Sequence, residues 1–123
     1  AAIQMALQRS GKIINTTSIV GMQGKAGHVE YAAAKAGILA ASKSLALEMG
    51  AFGVNVNCVS PGLVPRAGTS ATGVDRTNVF GRLCTPEDIA NMIHYLATEE
   101  AAFVTGQNFV VDGGRSLGLR GDA

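Results

Sequence analysis

The sequence shows little charge imbalance, few cysteines and no long apolar run, and each shortage closes off a class of protein. Ten Lys and Arg stand against nine Asp and Glu, and the basic residues are scattered. The two Tyr are not interleaved with them, so the chain offers no electrostatic footprint for nucleic acid. It also lacks the basic clusters that attract anionic lipid. No apolar stretch approaches the ~20 residues that span a bilayer, so no membrane partner is expected. The two cysteines, Cys58 and Cys84, lie too far apart for a zinc pair and are too few for a disulfide framework. Both read as reduced packing residues of a cytosolic protein, and no metal is expected. No basic-then-apolar leader opens the chain, which fits a cytoplasmic setting.

The opening residues lack something else. AAIQMALQ reads as the end of a helix, yet neither an initiator Met nor a Ser, Thr, Asp or Asn cap precedes it. The sequence is therefore expected to be a fragment that begins inside a helix.

What is present is a core and an alternation. Hydrophobic residues make up 47% of 123 residues, enough for one small domain. No repeat or low-complexity tract interrupts it. Arg9-Ser10-Gly11 reads as a helix stop. Residues 12–16 (KIINT) read as a buried strand, and 18–28, with Gly at 21, 24 and 27, as a loop. Tyr31, Ala34, Ile38, Ser42, Leu45 and Met49 recur at helical spacing, which predicts a helix over 31–49. Its many Ala and Gly37 leave a small-residue surface that a helix or sheet can approach closely. Residues 54–59 (VNVNCV) alternate as a strand does, and Pro61-Gly62 ends it. Residues 63–85 lack strong periodicity and read as a long binding loop or lid. Thr85-Pro86-Glu87-Asp88 starts a helix that runs to about 97, and residues 108–111 (NFVV) form a last strand before Asp112-Gly113-Gly114. Helices alternating with strands imply an α/β fold with a parallel sheet covered on both faces. Three strands make a thin sheet, so further strands are expected upstream.

Two residues on the long helix suggest chemistry. Tyr31 and Lys35 are four apart and share a face. A free phenol titrates near ~10 and exchanges its proton poorly at neutral pH without a neighbouring cation. A charge about 4 Å away at an effective dielectric near 20 supplies roughly 4 kcal/mol, the size of effect required. Taken alone, such a pair most often decorates a helix surface. Ser18 lies just past the first strand, where ligands of parallel sheets bind, and its hydroxyl there could hold a carbonyl oxygen. The plainer reading is a strand-ending serine bonded to backbone. His28, three residues before Tyr31, reads as a solvated loop residue or a pocket wall. His94 reads as structural, and Asp112 as a turn former.

Four motifs in order carry a resemblance. Gly11-Lys-Ile-Ile-Asn15 followed by Thr-Thr-Ser18-Ile-Val-Gly21, Tyr31-Ala-Ala-Ala-Lys35-Ala-Gly37, Asn55-Val-Asn57-Cys-Val-Ser60-Pro61-Gly62, and Gly106-Gln107 with Val111-Asp112-Gly113-Gly114 span nearly the whole chain. Together they resemble the short-chain dehydrogenase/reductase family, and members named for 3-oxoacyl-carrier-protein reduction or for sugar and polyol dehydrogenation look most similar. The resemblance implies that residues 1–123 are the C-terminal catalytic portion of one doubly wound, parallel-sheet, Rossmann-type domain, with the N-terminal cofactor-binding portion absent. It implies a catalytic Ser18, Tyr31 and Lys35, hydride exchange between NAD or NADP and a small carbonyl or alcohol substrate, and assembly as a homodimer or tetramer. Tyr31, Lys35, Pro61, Gly62 and the backbone of Val64 would bind the nicotinamide end of the cofactor.

The sequence also departs from the family. Its Gly-rich phosphate turn, its coenzyme-choosing side chain and its catalytic Asn are not in this chain. Arg66 stands where the family often has Thr, and Leu47, Ala51 and Phe52 occupy a region where acyl-carrier reductases often place Arg. Two other readings are an inactive truncated member that keeps only oligomerisation surfaces, and an epimerase or dehydratase of the family's extended branch. The short tail after Asp112-Gly113-Gly114 disfavours the second. Without the phosphate turn, the 123-residue chain alone is expected not to bind NAD(P) tightly.

Overall fold

A computed structural model describes residues 1–67 and 73–118. Its elements run α1 (Ala2–Gln8), β1 (Gly11–Thr16), α2 (Ile19–Gln23), α3 (Val29–Met49), β2 (Val54–Pro61), α4 (Pro86–Ala97) and β3 (Asn108–Val111), with short 3-10 turns at Gly50–Phe52, Glu99–Ala101 and Arg115–Leu117. Both strand pairs are parallel, in the order β1-β2-β3. The expected α/β, parallel-sheet fold is therefore present.

The pleat explains the two layers. Successive strand residues face opposite ways, so Ile13 and Ile14 serve different cores. Val54 and Val56 of β2 join Ile13 against Ala46 and Met49 of α3 and Ala2, Met5 and Ala6 of α1. Val59 joins Ile14 and Phe109 against Ile89 and Leu96 of α4. Helices α3 and α4 thus cover opposite faces while the chain steps the same way across the sheet. The two crossovers must have opposite hand, so one departs from the right-handed rule that parallel connections nearly always obey.

Capping explains the helix boundaries. The Thr85 hydroxyl accepts from the Asp88 amide while the Asp88 carboxylate accepts from the Thr85 amide, and Pro86 occupies the first turn of α4. Helix α1 ends on Arg9, which takes the left-handed conformation at φ 58°. The stop therefore falls within Arg9-Ser10-Gly11 as expected, on Arg9. Gly11 serves a close approach instead, since a Cβ there would meet the Met5 side chain at 2.5–2.9 Å.

Other expectations need correction. The stretch read as a loop from 18 to 28 contains α2. Helix α3 begins at Val29 rather than Tyr31. Its buried positions are Ser42, Ala46 and Met49, whereas Ala34 of the expected stripe is exposed. Part of the long loop over 63–85, residues 68–72, lies outside the described residues. The described remainder is built from side-chain-capped turns. Asp75 accepts from the Thr77 amide at 2.8 Å, and Asn78 accepts from the Phe80 and Gly81 amides, each at 3.0 Å. The Val79 amide donates to the Gly113 carbonyl at 2.9 Å, which docks this segment on the turn after β3.

Both cysteines are free: Cys58 packs in the sheet, and Cys84 borders the α4 core, where burial pushes its thiol pKa up. No helix among the described residues is long and apolar enough to cross a membrane. No cluster of His, Cys, Asp and Glu suited to a metal occurs among them either.

Candidate active site

Parallel strands bring their carboxyl ends to one side, so Ser18, Pro61-Gly62 and Asp112 follow three neighbouring strand ends. The ends are tied together by backbone bonds: the Thr17 amide donates to the Val59 carbonyl at 2.8 Å and the Gly62 amide to the Val111 carbonyl at 3.1 Å. A Cβ on Gly62 would lie 2.7 Å from the Cβ of Asp112, so only glycine lets the β2 exit pass this closely.

Ser18 is nearly buried and caps α2, its Oγ accepting from the Val20 amide at 3.1 Å. That bond satisfies a free amide of a five-residue helix and fixes where the serine stands. The plain reading of Ser18 as a backbone-bonded residue is thus realised, and it leaves the hydroxyl proton available for another acceptor.

Helix α3 starts beside the strand ends and runs back along the sheet. Tyr31 lies in its first turn and is half exposed. Lys35, one turn on, places Nζ 5.7 Å from the Tyr31 ring centroid and donates to the Thr16 carbonyl at 3.5 Å. The lysine therefore bridges the tyrosine and the last residue of β1, two positions before Ser18. The His28 ring meets that of Tyr31 edge-on at 6.3 Å between centroids, and both are exposed. His94 sits on the exposed last turn of α4, remote in sequence from this group.

The structure brings Tyr31 and Lys35 together directly and links Ser18 to them through α2, which packs on α3 at Gly21. Pro61 and Gly62 stand at the neighbouring strand end. Val64 packs its side chain against the α4 core. Asp112 keeps the role of turn former: Oδ1 accepts from the Gly114 amide at 2.9 Å and Oδ2 from the Ser116 amide at 2.7 Å. Sequence reasoning missed the structural parts of three residues, Gly21 at the α2–α3 contact and the buried hydroxyls of Thr17 and Ser60. The signal for Gly21 was a glycine inside a segment that turns out to be helical.

A family profile described as "Enoyl-(Acyl carrier protein) reductase" matches residues 1–116. The chain belongs to the short-chain dehydrogenase/reductase family. It is 44% identical over 116 residues to the 3-oxoacyl-[acyl-carrier-protein] reductase FabG of Vibrio harveyi, covering 89% of this chain and 48% of that protein. It is 43% identical over 114 residues to the 3-oxoacyl-[acyl-carrier-protein] reductase of Synechocystis, covering 89% of this chain and 46% of that protein. Among solved structures, the acetoin dehydrogenase YohF of Salmonella typhimurium superposes with a TM-score of 0.86 at 34% identity, over 95% of this chain and 48% of that one. The acetoin dehydrogenase of Enterobacter cloacae gives 0.89 at 30% identity, over 100% of this chain and 50% of that one. The chain spans about half the length of the curated relatives it matches.

Proposed function

We propose that the protein carrying this chain is an NAD(P)-dependent oxidoreductase that interconverts a ketone and a secondary alcohol through Ser18, Tyr31 and Lys35. One observation carries the reading most: the Lys35 ammonium sits one helical turn from Tyr31 and reaches the carboxyl end of β1 beside Ser18.

The donor set fits a nicotinamide nucleotide. In this reading the Tyr31 phenol, the Lys35 ammonium and the Ser18 hydroxyl serve the strand ends, where a ribose and a carbonyl each need donors. Lys35 would hold the ribose hydroxyls, while Pro61, Gly62 and the Val64 backbone would flank the nicotinamide ring. When bound, the coenzyme supplies or accepts the hydride. Ser18 donates its free proton to the substrate carbonyl oxygen and fixes its direction. Tyr31 delivers a proton to that oxygen during reduction and takes it back during oxidation. The Lys35 charge stabilises the phenolic oxygen as the proton leaves.

The substrate reading is a small carbonyl or alcohol, supported by relatives whose names specify 3-oxoacyl and acetoin chemistry. A homodimer or tetramer in the cytoplasm is part of the same reading. Support for the assembly is the exposed apolar surface of α1, where Ile3 and Leu7 are more than three-quarters exposed beside a groove of about 630 Å³ that Leu45 of α3 and Phe52 also line.

The test is coenzyme turnover by the complete protein with NADH and NADPH against hydroxyketones, diketones and 3-oxoacyl thioesters. Turnover with at least one of these ketone classes is expected. Absence of carbonyl reduction and of alcohol oxidation with both coenzymes would overturn the proposal.

A further inference from the structure

Beneath the candidate site, a line of hydrogen bonds runs from the residue after β1 through β2 and β3 to α2. Thr17 Oγ1 lies 2.5 Å from Ser60 Oγ, Ser60 Oγ donates to Asn108 Oδ1 at 2.6 Å, and Asn108 Nδ2 lies 3.3 Å from Met22 Sδ. Thr17 is 3% exposed and Ser60 fully buried.

The direction of the line follows from proton counting. The Asn108 amide nitrogen donates to Met22, so its oxygen is the acceptor for Ser60. Ser60 has one proton and spends it there. The 2.5 Å contact therefore has Thr17 as donor and Ser60 as acceptor, the Val59 carbonyl at 3.4 Å being the more distant acceptor for the same proton. Every member has a partner, and in a dry interior such a chain is stiffer than its separate bonds.

Its position gives the line its consequence. Thr17 directly precedes Ser18, and Met22 belongs to the helix that Ser18 caps, so the serine is held on both sides by one network. Ser60 directly precedes Pro61-Gly62, on the other side of the site. We infer that Thr17 and Ser60 are positioning residues, a buried hydroxyl pair that sets Ser18 relative to Pro61-Gly62 and hence the substrate carbonyl relative to the nicotinamide. The inference rests on the proposed oxidoreductase reading for its catalytic part, but its structural part stands independently. Neither residue touches substrate; both act through Ser18.

Thr17→Val removes the hydroxyl without changing side-chain shape, and Thr17→Ser keeps it. In the complete protein, below each variant's Tm, Thr17→Val should lower kcat about 10- to 100-fold, as expected for a misplaced reacting group. The coenzyme KM should not change, because Lys35 is untouched. The Val20 amide, which donates to Ser18, should exchange with solvent faster. Thr17→Ser should restore both kcat and exchange. A folded Thr17→Val whose kcat or Val20 exchange stays at the wild-type level overturns the inference, as does a loss that Thr17→Ser does not restore. If Thr17→Val does not fold, Ser60→Ala decides through the same two readouts. If the wild-type protein shows no carbonyl reduction, the functional reading fails separately, and Val20 exchange alone decides the positioning claim.

Discussion

A Cβ placed on Gly21 would lie 2.8 Å from both the carbonyl carbon and the Cβ of Lys35. Helix α2 therefore rests on α3 at the residue that carries the site's cation, and no side chain separates them. Gly21→Ala must push the two helices apart or bend one of them. Overpacking of this kind costs about 1–3 kcal/mol, and here the displaced backbone is that of Lys35. The variant should show that loss in urea unfolding, together with a lowered kcat at temperatures where it remains folded. Wild-type stability and turnover would mean that the α2–α3 contact is slack.

Lys35→Ala should weaken coenzyme binding as well as turnover. The Lys35 side chain lies beside the Tyr31 ring, and in the proposed reading it serves both the proton transfer and the ribose. Titration of the complete protein with NADH and NADPH checks this. Unchanged affinity for both coenzymes would remove the ribose contact from the reading.

Asn15 Nδ2 donates to Ser42 Oγ at 2.9 Å, and Ser42 is buried two turns after Lys35 on the same helix. This bond pins the axial position of α3 against β1, and with it the reach of Lys35 to Thr16. Ser42→Ala leaves the Asn15 amide short of an acceptor and should cost about 1–3 kcal/mol in denaturant unfolding. Adding Asn15→Leu should recover part of that loss, because both polar partners are then gone. A double variant less stable than Ser42→Ala would contradict the pinning role.

At the start of α4, Asp88 accepts from Arg82 at 2.7 and 2.9 Å and from the Thr85 amide at 2.8 Å. The guanidinium first, and then the amide, hold its carboxyl well below the usual carboxylate range. The sign follows from linkage. A carboxyl whose folded value is depressed contributes its stability above the unfolded value of about 3.9, and that contribution is lost as pH falls through the folded value. Asp88→Asn should therefore lower Tm at neutral pH, with the gap to wild type closing as pH drops below about 4. A gap that stays constant down to the acid limit would show that the charge does not matter there.

Much of this was legible in the chain. The alternating VNVNCV strand, the Thr85-Pro86 helix start and the Tyr31–Lys35 spacing all depend on local sequence, and each stands where expected. Helix α2 was not legible because five residues with a central glycine show no period; its stability comes from packing on α3. The helix end within Arg9-Ser10-Gly11 was legible, but not that Arg9 makes the turn and Gly11 the close approach to Met5, because a glycine needed for a close approach looks the same in sequence as one needed for a turn. The line from Thr17 through Ser60 to Asn108 depends on strand order and register. Those relations join residues more than forty positions apart, and no local pattern encodes them.

The most direct test is the steady-state turnover of Tyr31→Phe in the complete protein, measured beside its coenzyme affinity. The substitution removes one hydroxyl from a half-exposed ring and leaves Lys35 its aromatic neighbour. If Tyr31 transfers the proton, kcat falls by about 10²- to 10⁴-fold, the usual weight of general acid–base catalysis, and coenzyme affinity stays near wild type. Near-normal turnover by the variant would contradict the assignment of Tyr31 as the proton donor and the site built around it.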